Sequence, residues 1–226
     1  MMIAPDPHDR PTPSPASGRG RRMDVTKRLA ILAAARRLFT RHGLEATNMD
    51  RLADVAGVSK ATVYKHFQSK EHLFQAVLDD LLAQLPEPGT LVAHGHQQLR
   101  PRLLAIGRDF CGLATSPLVQ DIREMMADAG VAGGITPGAF WTSCAAPYQA
   151  AFAEMLRATA AVDDLEIVDP QLATSQFFAL VASEPFLRQA TGARPLTGTV
   201  LTQHLGAAVD TFLRAFHRPG KATPSA

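Results

Sequence analysis

Residues 49–68 read MDRLADVAGVSKATVYKHFQ, with Ala53, Gly57 and Val63 separated by four and then six positions. That is the spacing of a helix-turn-helix. Ala53 stands where two helices cross closely and a larger side chain would part them. Gly57 supplies the positive φ of the tight turn, and Val58 and Val63 fill the small core between the helices. The second helix then projects Lys60, Ala61, Thr62, Tyr64, Lys65 and His66 away from that core. Cations and hydroxyls in that pattern suit phosphates and base edges in a DNA major groove. Taken alone, the spacing also fits an ordinary helical hairpin, which needs only a glycine turn and apolar positions.

Upstream, helical periodicity begins at Thr26, where Leu29, Leu32, Ala35 and Phe39 recur on one side, and Gly43 closes the helix. Thr47 with Asp50 three positions on reads as an N-cap pair opening the next helix. Ser59 caps a short helix to Phe67, and Ser69 a longer one from Lys70 to about Gln84. Residues 1–22, MMIAPDPHDRPTPSPASGRGRR, are too Pro-punctuated and too polar to pack, and are expected to be a disordered tail. The basic end of that tail, Arg19 to Arg22, suits a minor groove, although a solvated charge run is the commoner use of such a sequence.

Downstream, Leu85-Pro86-Glu87-Pro88-Gly89 is the first strong helix break, and the domain boundary is placed there. The expected organisation is a tail over 1–22, a DNA-binding domain over 23–85 and a C-terminal domain over 86–226.

The string Ile31-Leu32-Ala33-Ala34-Ala35, with Leu38-Phe39, His42-Gly43, Thr47, Leu52-Ala53, Ala56-Gly57-Val58-Ser59, Tyr64-Lys65-His66-Phe67 and Lys70-Glu71-His72-Leu73-Phe74, resembles the N-terminal signature of the TetR family over residues 25–85. The resemblance implies that Thr47 caps helix 2 and contacts a backbone phosphate, with Asn48 beside it. It implies that Lys60, Thr62 and Lys65 reach bases or phosphates, that Tyr64 and His66 contact phosphates, and that Lys70 does so from the start of helix 4. Phe67 and Phe74 are expected to be core.

Charge agrees in sign. Residues 1–85 carry 13 Lys and Arg against 9 Asp and Glu, whereas the remainder carries 10 against 12. Only the N-terminal part therefore has the polarity a phosphate backbone attracts. Cys111 and Cys144 have no zinc-ligand spacing, and they suit a reducing cytoplasm. A Cys111–Cys144 redox pair and a metal site at His94-Gly95-His96 are both weaker readings than a buried thiol and an exposed loop. No metal or cofactor is expected, and no apolar run is long enough to span a membrane. The first 22 residues lack the apolar centre of a secretory signal.

Beyond residue 90 the apolar periodicity is helical in segments near 96–115, 117–129, 138–161, 170–191 and 197–217, with Pro101, Pro147 and Pro185 expected to start, kink or end helices. The fold class is all-α: an N-terminal three-helix helix-turn-helix domain plus a C-terminal helical domain. The family resemblance implies that the C-terminal domain binds a ligand and dimerises through its last two helices, and residues 183–196, SEPFLRQATGARPL, resemble the AefR-like group. Phe110, Met125, Met126, Phe140, Trp141, Tyr148, Phe152 and Met155 are candidates for a ligand pocket, although apolar residues at helical spacing are mostly core. Phe177, Leu180, Leu205, Val209 and Phe212 are candidates for the dimer face.

The expected function is a homodimeric regulator, not an enzyme. It would bind a pseudo-palindromic double-stranded DNA operator and be released as a repressor by an apolar or aromatic small molecule. An enzyme is the rival from another class, but the chain has no GxSxG, HExxH or nucleotide-binding glycine loop. A helical adaptor for another protein is the third reading.

Overall fold

The computed structural model describes residues 16–94, 98–131, 138–160 and 165–216, and among these every regular element is helical. The chain divides into two compact units, Met1–Val77 and Leu78–Ala226. The division falls inside a continuous helix rather than at the proline-rich break of residues 85–89, because the last turns of that helix belong to the second unit.

In the first unit, α1 spans Ala16–Ala46, α2 Met49–Ala56 and α3 Lys60–His66, and α4 (Lys70–Ala83) begins there. Helix α1 starts ten residues ahead of the expected Thr26. The last proline of the tail is Pro15, so nothing after it forbids helical backbone, and Thr26 Oγ1 bonds back to the Arg22 carbonyl within the helix. Residues 16–22 are thus helical where a disordered tail was expected; the rest of the expected tail lies outside the described residues. Gly43, at φ 76°, interrupts α1 as a closing glycine should.

The buried face of α1 is Ile31, Ala34, Ala35, Leu38 and Phe39, whereas Leu29 is 60% exposed. The apolar stripe is therefore turned from the one that Leu29 suggests. Phe39 meets Phe74 edge to face at 5.1 Å between ring centroids, and Leu52, Ala53, Val63, Phe67 and Leu73 complete this core.

In the second unit the elements are α5 (Pro88–Val92), α6 (Leu99–Ala114), α7 (Pro117–Val131), α8 (Ala146–Ala160), α9 (Pro170–Ala190) and α10 (Gly198–Phe216). One π-helical turn, Trp141–Ala145, leads into α8. The cause is local. Pro147 has no N–H for the carbonyl four residues back, and its ring crowds that carbonyl, so the chain opens into a wider turn in which the Ala146 N–H reaches Trp141 O.

Helix α9 packs against α6, α8 and α10. Its core side chains include Phe177, stacked on Phe152 at 4.5 Å and edge-on to Phe212 at 5.3 Å. Helix α6 packs tightly on α9 and α10 at Gly107, where a Cβ would lie 3.3 Å from Val181 Cγ1 and 3.6 Å from Leu205 Cδ2.

Candidate nucleic-acid interface and effector cavity

The turn between α2 and α3 is built as its sequence requires. Gly57 adopts φ 66°, ψ 32°, and its N–H donates to Asp54 O while the Val58 N–H donates to Ala53 O. This pair of crossed bonds satisfies the last carbonyls of α2 and turns the chain tightly into α3. Ala53 and Val63 are buried between the two helices, and Ser59 caps α3 by accepting from the Thr62 N–H at 3.2 Å. Lys60, Ala61, Tyr64 and Lys65 lie exposed along α3. Lys65 and His66 fall in its last turn, where positive charge complements the helix dipole.

Several expected contact residues have partners of their own. Lys60 Nζ lies 2.9 Å from Asp50 of α2, and Thr62 Oγ1 is 2.8 Å from Ser59 Oγ. The hydrogen bond to Asp50 raises the lysine's pKa, so Lys60 is a cation anchored at the start of α3. His66 is mostly covered, its Nε2 3.2 Å from the Asp24 carboxylate but off the line of a hydrogen bond. Lys70 Nζ donates to Glu45 O at 3.1 Å, tying the start of α4 to the end of α1. Arg28, which the sequence reading did not single out, holds its guanidinium over the Phe67 ring at 4.5 Å.

One assignment is corrected. The cap of α2 is Asn48, whose side chain accepts from the N–H groups of Asp50 and Arg51 at 2.7 and 3.3 Å. Thr47 is only 5% exposed, and its hydroxyl donates to Gly43 O at 2.6 Å. Two adjacent residue types that both cap well left the choice between them to the tertiary structure, which turned threonine inward to close α1.

The second unit contains an apolar cavity of about 370 Å3, walled by Phe110, Phe140, Trp141, Cys144, Phe178 and Phe186, with Gln149, Ser175 and Ser183 as its polar groups. Burial pushes the Cys144 thiol up to about 11, so at neutral pH it adds a small neutral wall and not a thiolate.

The description of bacterial regulatory proteins of the tetR family matches residues 31–77, and that of the AefR-like transcriptional repressor C-terminal domain matches residues 101–218. The chain belongs to the TetR family. As a TetR-family protein it is a transcriptional regulator with a DNA-binding domain and not an enzyme. The AefR-like resemblance of residues 183–196 falls within the second match.

A TetR family transcriptional regulator from Pseudomonas syringae pv. tomato str. DC3000 is 30% identical over 85% of this chain and 97% of that one, with a TM-score of 0.63. The flavonoid-responsive regulator FrrA is also 30% identical, over 86% of this chain and 98% of its own, with the same TM-score of 0.63. The transcriptional activator FasR of Mycolicibacterium smegmatis is 39% identical over 93 residues, which are 38% of this chain and 42% of FasR. The chain thus spans less than half the length of that curated relative.

In this TetR-family regulator Phe110, Phe140 and Trp141, three of the pocket candidates, line the cavity. Met125, Met126, Phe152 and Met155 do not: each is a buried core residue. Tyr148 lines a smaller cavity instead. Phe178 and Phe186, which sequence reasoning missed, sit on α9 beside the small residues Ser175, Ala179, Ala182 and Ser183. That stripe of small side chains at helical spacing was the signal available.

The dimer candidates need a similar correction. Phe177, Leu205, Val209 and Phe212 are at most 1% exposed and fill the protomer's own core, so only Leu180 keeps accessible surface for a partner. The face that α9 and α10 leave open carries Leu172, Leu187 and Val200, each more than half exposed, and a shallow groove between Gln176, Leu180, Thr211 and Phe216. Both helices carry apolar residues beyond the stripe that the core takes, so periodicity alone does not separate core from interface. His94 pairs with Asp109 at 3.1 Å; Gly95 and His96 of the proposed metal motif lie outside the described residues.

Proposed function

We propose that the chain is a homodimeric, ligand-released repressor that acts in the cytoplasm on a pseudo-palindromic operator. The observation that carries the DNA reading is the exposed α3 face, with Lys60, Ala61, Tyr64 and Lys65 presented by the crossed-bond turn at Gly57. Lys60, Thr62 and Lys65 reach base edges and phosphates, and Tyr64, His66, Lys70 and the free end of Asn48 hold the backbone. Thr47 is left out of that set because its hydroxyl is buried against Gly43.

Two such heads, roughly 34–36 Å apart, meet successive major grooves. The open face of α9 and α10 supplies the partner contact through Leu172, Leu180, Leu187 and Val200. The AefR-like match supports repression, although FasR shows that an activator can share the same reading head.

The effector is an uncharged, planar aromatic compound. Five aromatic rings wall the cavity, its polar groups are an amide and hydroxyls, and its volume suits a small organic molecule. The likeness to a flavonoid-responsive regulator supports the same chemical class. The test is an operator duplex selected from random DNA, titrated by fluorescence anisotropy with and without a panel of flavonoids. Release of a palindromic duplex by a panel member is expected. Selection of no preferred sequence would overturn the operator reading, and a bound operator indifferent to every aromatic ligand would overturn the effector reading.

A further inference from the structure

The apolar cavity has few polar groups, and the hydrogen bonds that two of them already make decide what they can offer a guest. On α9 the Ser175 hydroxyl donates to Gln171 O at 3.1 Å, and the Ser183 hydroxyl donates to Ala179 O at 2.6 Å. A hydroxyl has one proton, so both serines have given theirs to the carbonyl one turn back and present the cavity with oxygen lone pairs alone. Both are exposed, and the eight residues between them span about 12 Å of helix axis at 1.5 Å per residue.

Gln149 lines the same cavity from α8, one turn after Ala145, and is half-buried. Among the described residues its amide has no hydrogen-bond partner. The other strong donor in the lining is the indole N–H of Trp141, but Trp141 is 53% exposed, so water competes for it. The Cys144 thiol is a weak donor, and the rest of the lining is carbon. Acceptors therefore stand on α9, and the donor that loses water when the cavity fills is the Gln149 amide on α8.

We propose that the occupant is an aromatic ketone carrying phenolic hydroxyls: its carbonyl accepts from the Gln149 amide, and its hydroxyls donate to Ser175 and Ser183. The inference rests on the cavity being the effector site. An ether or ester at the serines meets an oxygen with no proton to give. A ligand without a carbonyl strips water from the Gln149 N–H groups and returns nothing, which is the costlier defect because Gln149 is the most covered of the three. Gln149 is thus the main specificity-determining residue, and the exposed serines discriminate less.

The test titrates the full chain by isothermal calorimetry with three planar probes of similar size. They are 2,7-dihydroxyfluoren-9-one, its dimethyl ether, and 2,7-dihydroxyfluorene, which lacks the carbonyl. Trp141 is the only tryptophan and lines this cavity, so quenching of its emission places each probe there. In the wild type the dihydroxy ketone is expected to bind about five- to ten-fold tighter than the fluorene, the effect of one neutral hydrogen bond out of reach of bulk water. Its advantage over the dimethyl ether is expected to be smaller, about two-fold or more, because water competes at the serines.

Gln149→Leu removes the amide, and Gln149→Glu keeps its length and acceptor oxygens while removing its protons. Both variants are expected to lose the ketone's advantage over the fluorene while still binding the fluorene, and Ser175→Ala/Ser183→Ala to lose the advantage over the dimethyl ether. A ketone advantage that survives both Gln149 variants, or three probes that quench Trp141 with equal affinity, overturns the polar assignment and leaves the cavity reading intact. Probes that leave Trp141 emission unchanged overturn the cavity reading and this inference with it.

Discussion

The Cys111 thiol donates to the Val181 carbonyl at 2.9 Å, and it does so because Pro185, four residues along α9, has no N–H to offer that oxygen. His204 of α10 gives Val181 O its second partner, Nε2 donating at 3.1 Å. A proline inside a helix usually leaves a carbonyl for water to satisfy. Here α6 and α10 satisfy it from within the core, and the proline becomes the point at which three helices are joined.

Removing the thiol should therefore cost more than its volume. Cys111→Ala is expected to lower stability by about 1–3 kcal/mol, since it takes a donor from a buried carbonyl. Adding Pro185→Ala should return part of that loss by restoring the helical N–H. Urea unfolding of the two single variants and the double variant measures the coupling; strictly additive losses would show that Cys111 only fills space.

At the N-terminus of α2 the two neighbouring cap candidates should separate cleanly. Asn48→Ala loses the cap and is expected to cost about 1 kcal/mol. Thr47→Val, which removes the hydroxyl from Gly43 O, should also destabilise the fold, while operator affinity of the folded protein changes less than two-fold. A Thr47→Val protein of full stability with sharply weaker DNA binding would restore Thr47 as a phosphate contact.

Gly57→Ala isolates backbone strain. Nothing lies within 4 Å of the added Cβ, so only the left-handed conformation opposes it, at about 1–2 kcal/mol. Thermal unfolding of this variant should show that loss, and no loss would mean that the turn relaxes to another conformation.

Alkali should weaken the second unit before it affects chemistry elsewhere. Burial pushes both Cys111 and Cys144 up to about 11 in the folded chain, against an ordinary thiol value near 8.5–9 when unfolded. Between those values the unfolded chain loses protons that the folded chain keeps, so stability is full below about pH 8.5 and falls as pH rises toward 11. Melting temperature measured from pH 7.5 to 10.5 should drop, and Cys144→Ala should flatten the decline. An identical slope in that variant would contradict the assignment.

The DNA-binding unit was legible because its signals are local. Ala53, Gly57, Val63, Ser59 and Ser69 act within one or two helical turns, so spacing alone places them. What escaped was set by distant packing. Whether Phe178 faces a cavity or Phe177 the core depends on where α6, α8 and α10 lie around α9, and two adjacent phenylalanines do not record that in the sequence. Helix α5 escaped for a different reason: it is one turn long and begins at Pro88, a residue that breaks a helix in its interior but starts one readily. The π-turn was hinted at by Pro147, yet a proline announces a disturbance without saying whether the helix ends, bends or widens.

The central claim is that the exposed face of α3 reads DNA. The most direct measurement is operator affinity against salt for the wild type and for Tyr64→Ala/Lys65→Ala, both confirmed as folded by circular dichroism. The account predicts a discrete complex with the wild type that weakens steeply with salt, and for the variant an affinity at least about ten-fold lower with a shallower salt slope, because each lost phosphate contact removes about one from that slope. A variant that binds the same duplex with the wild-type affinity and slope would contradict it.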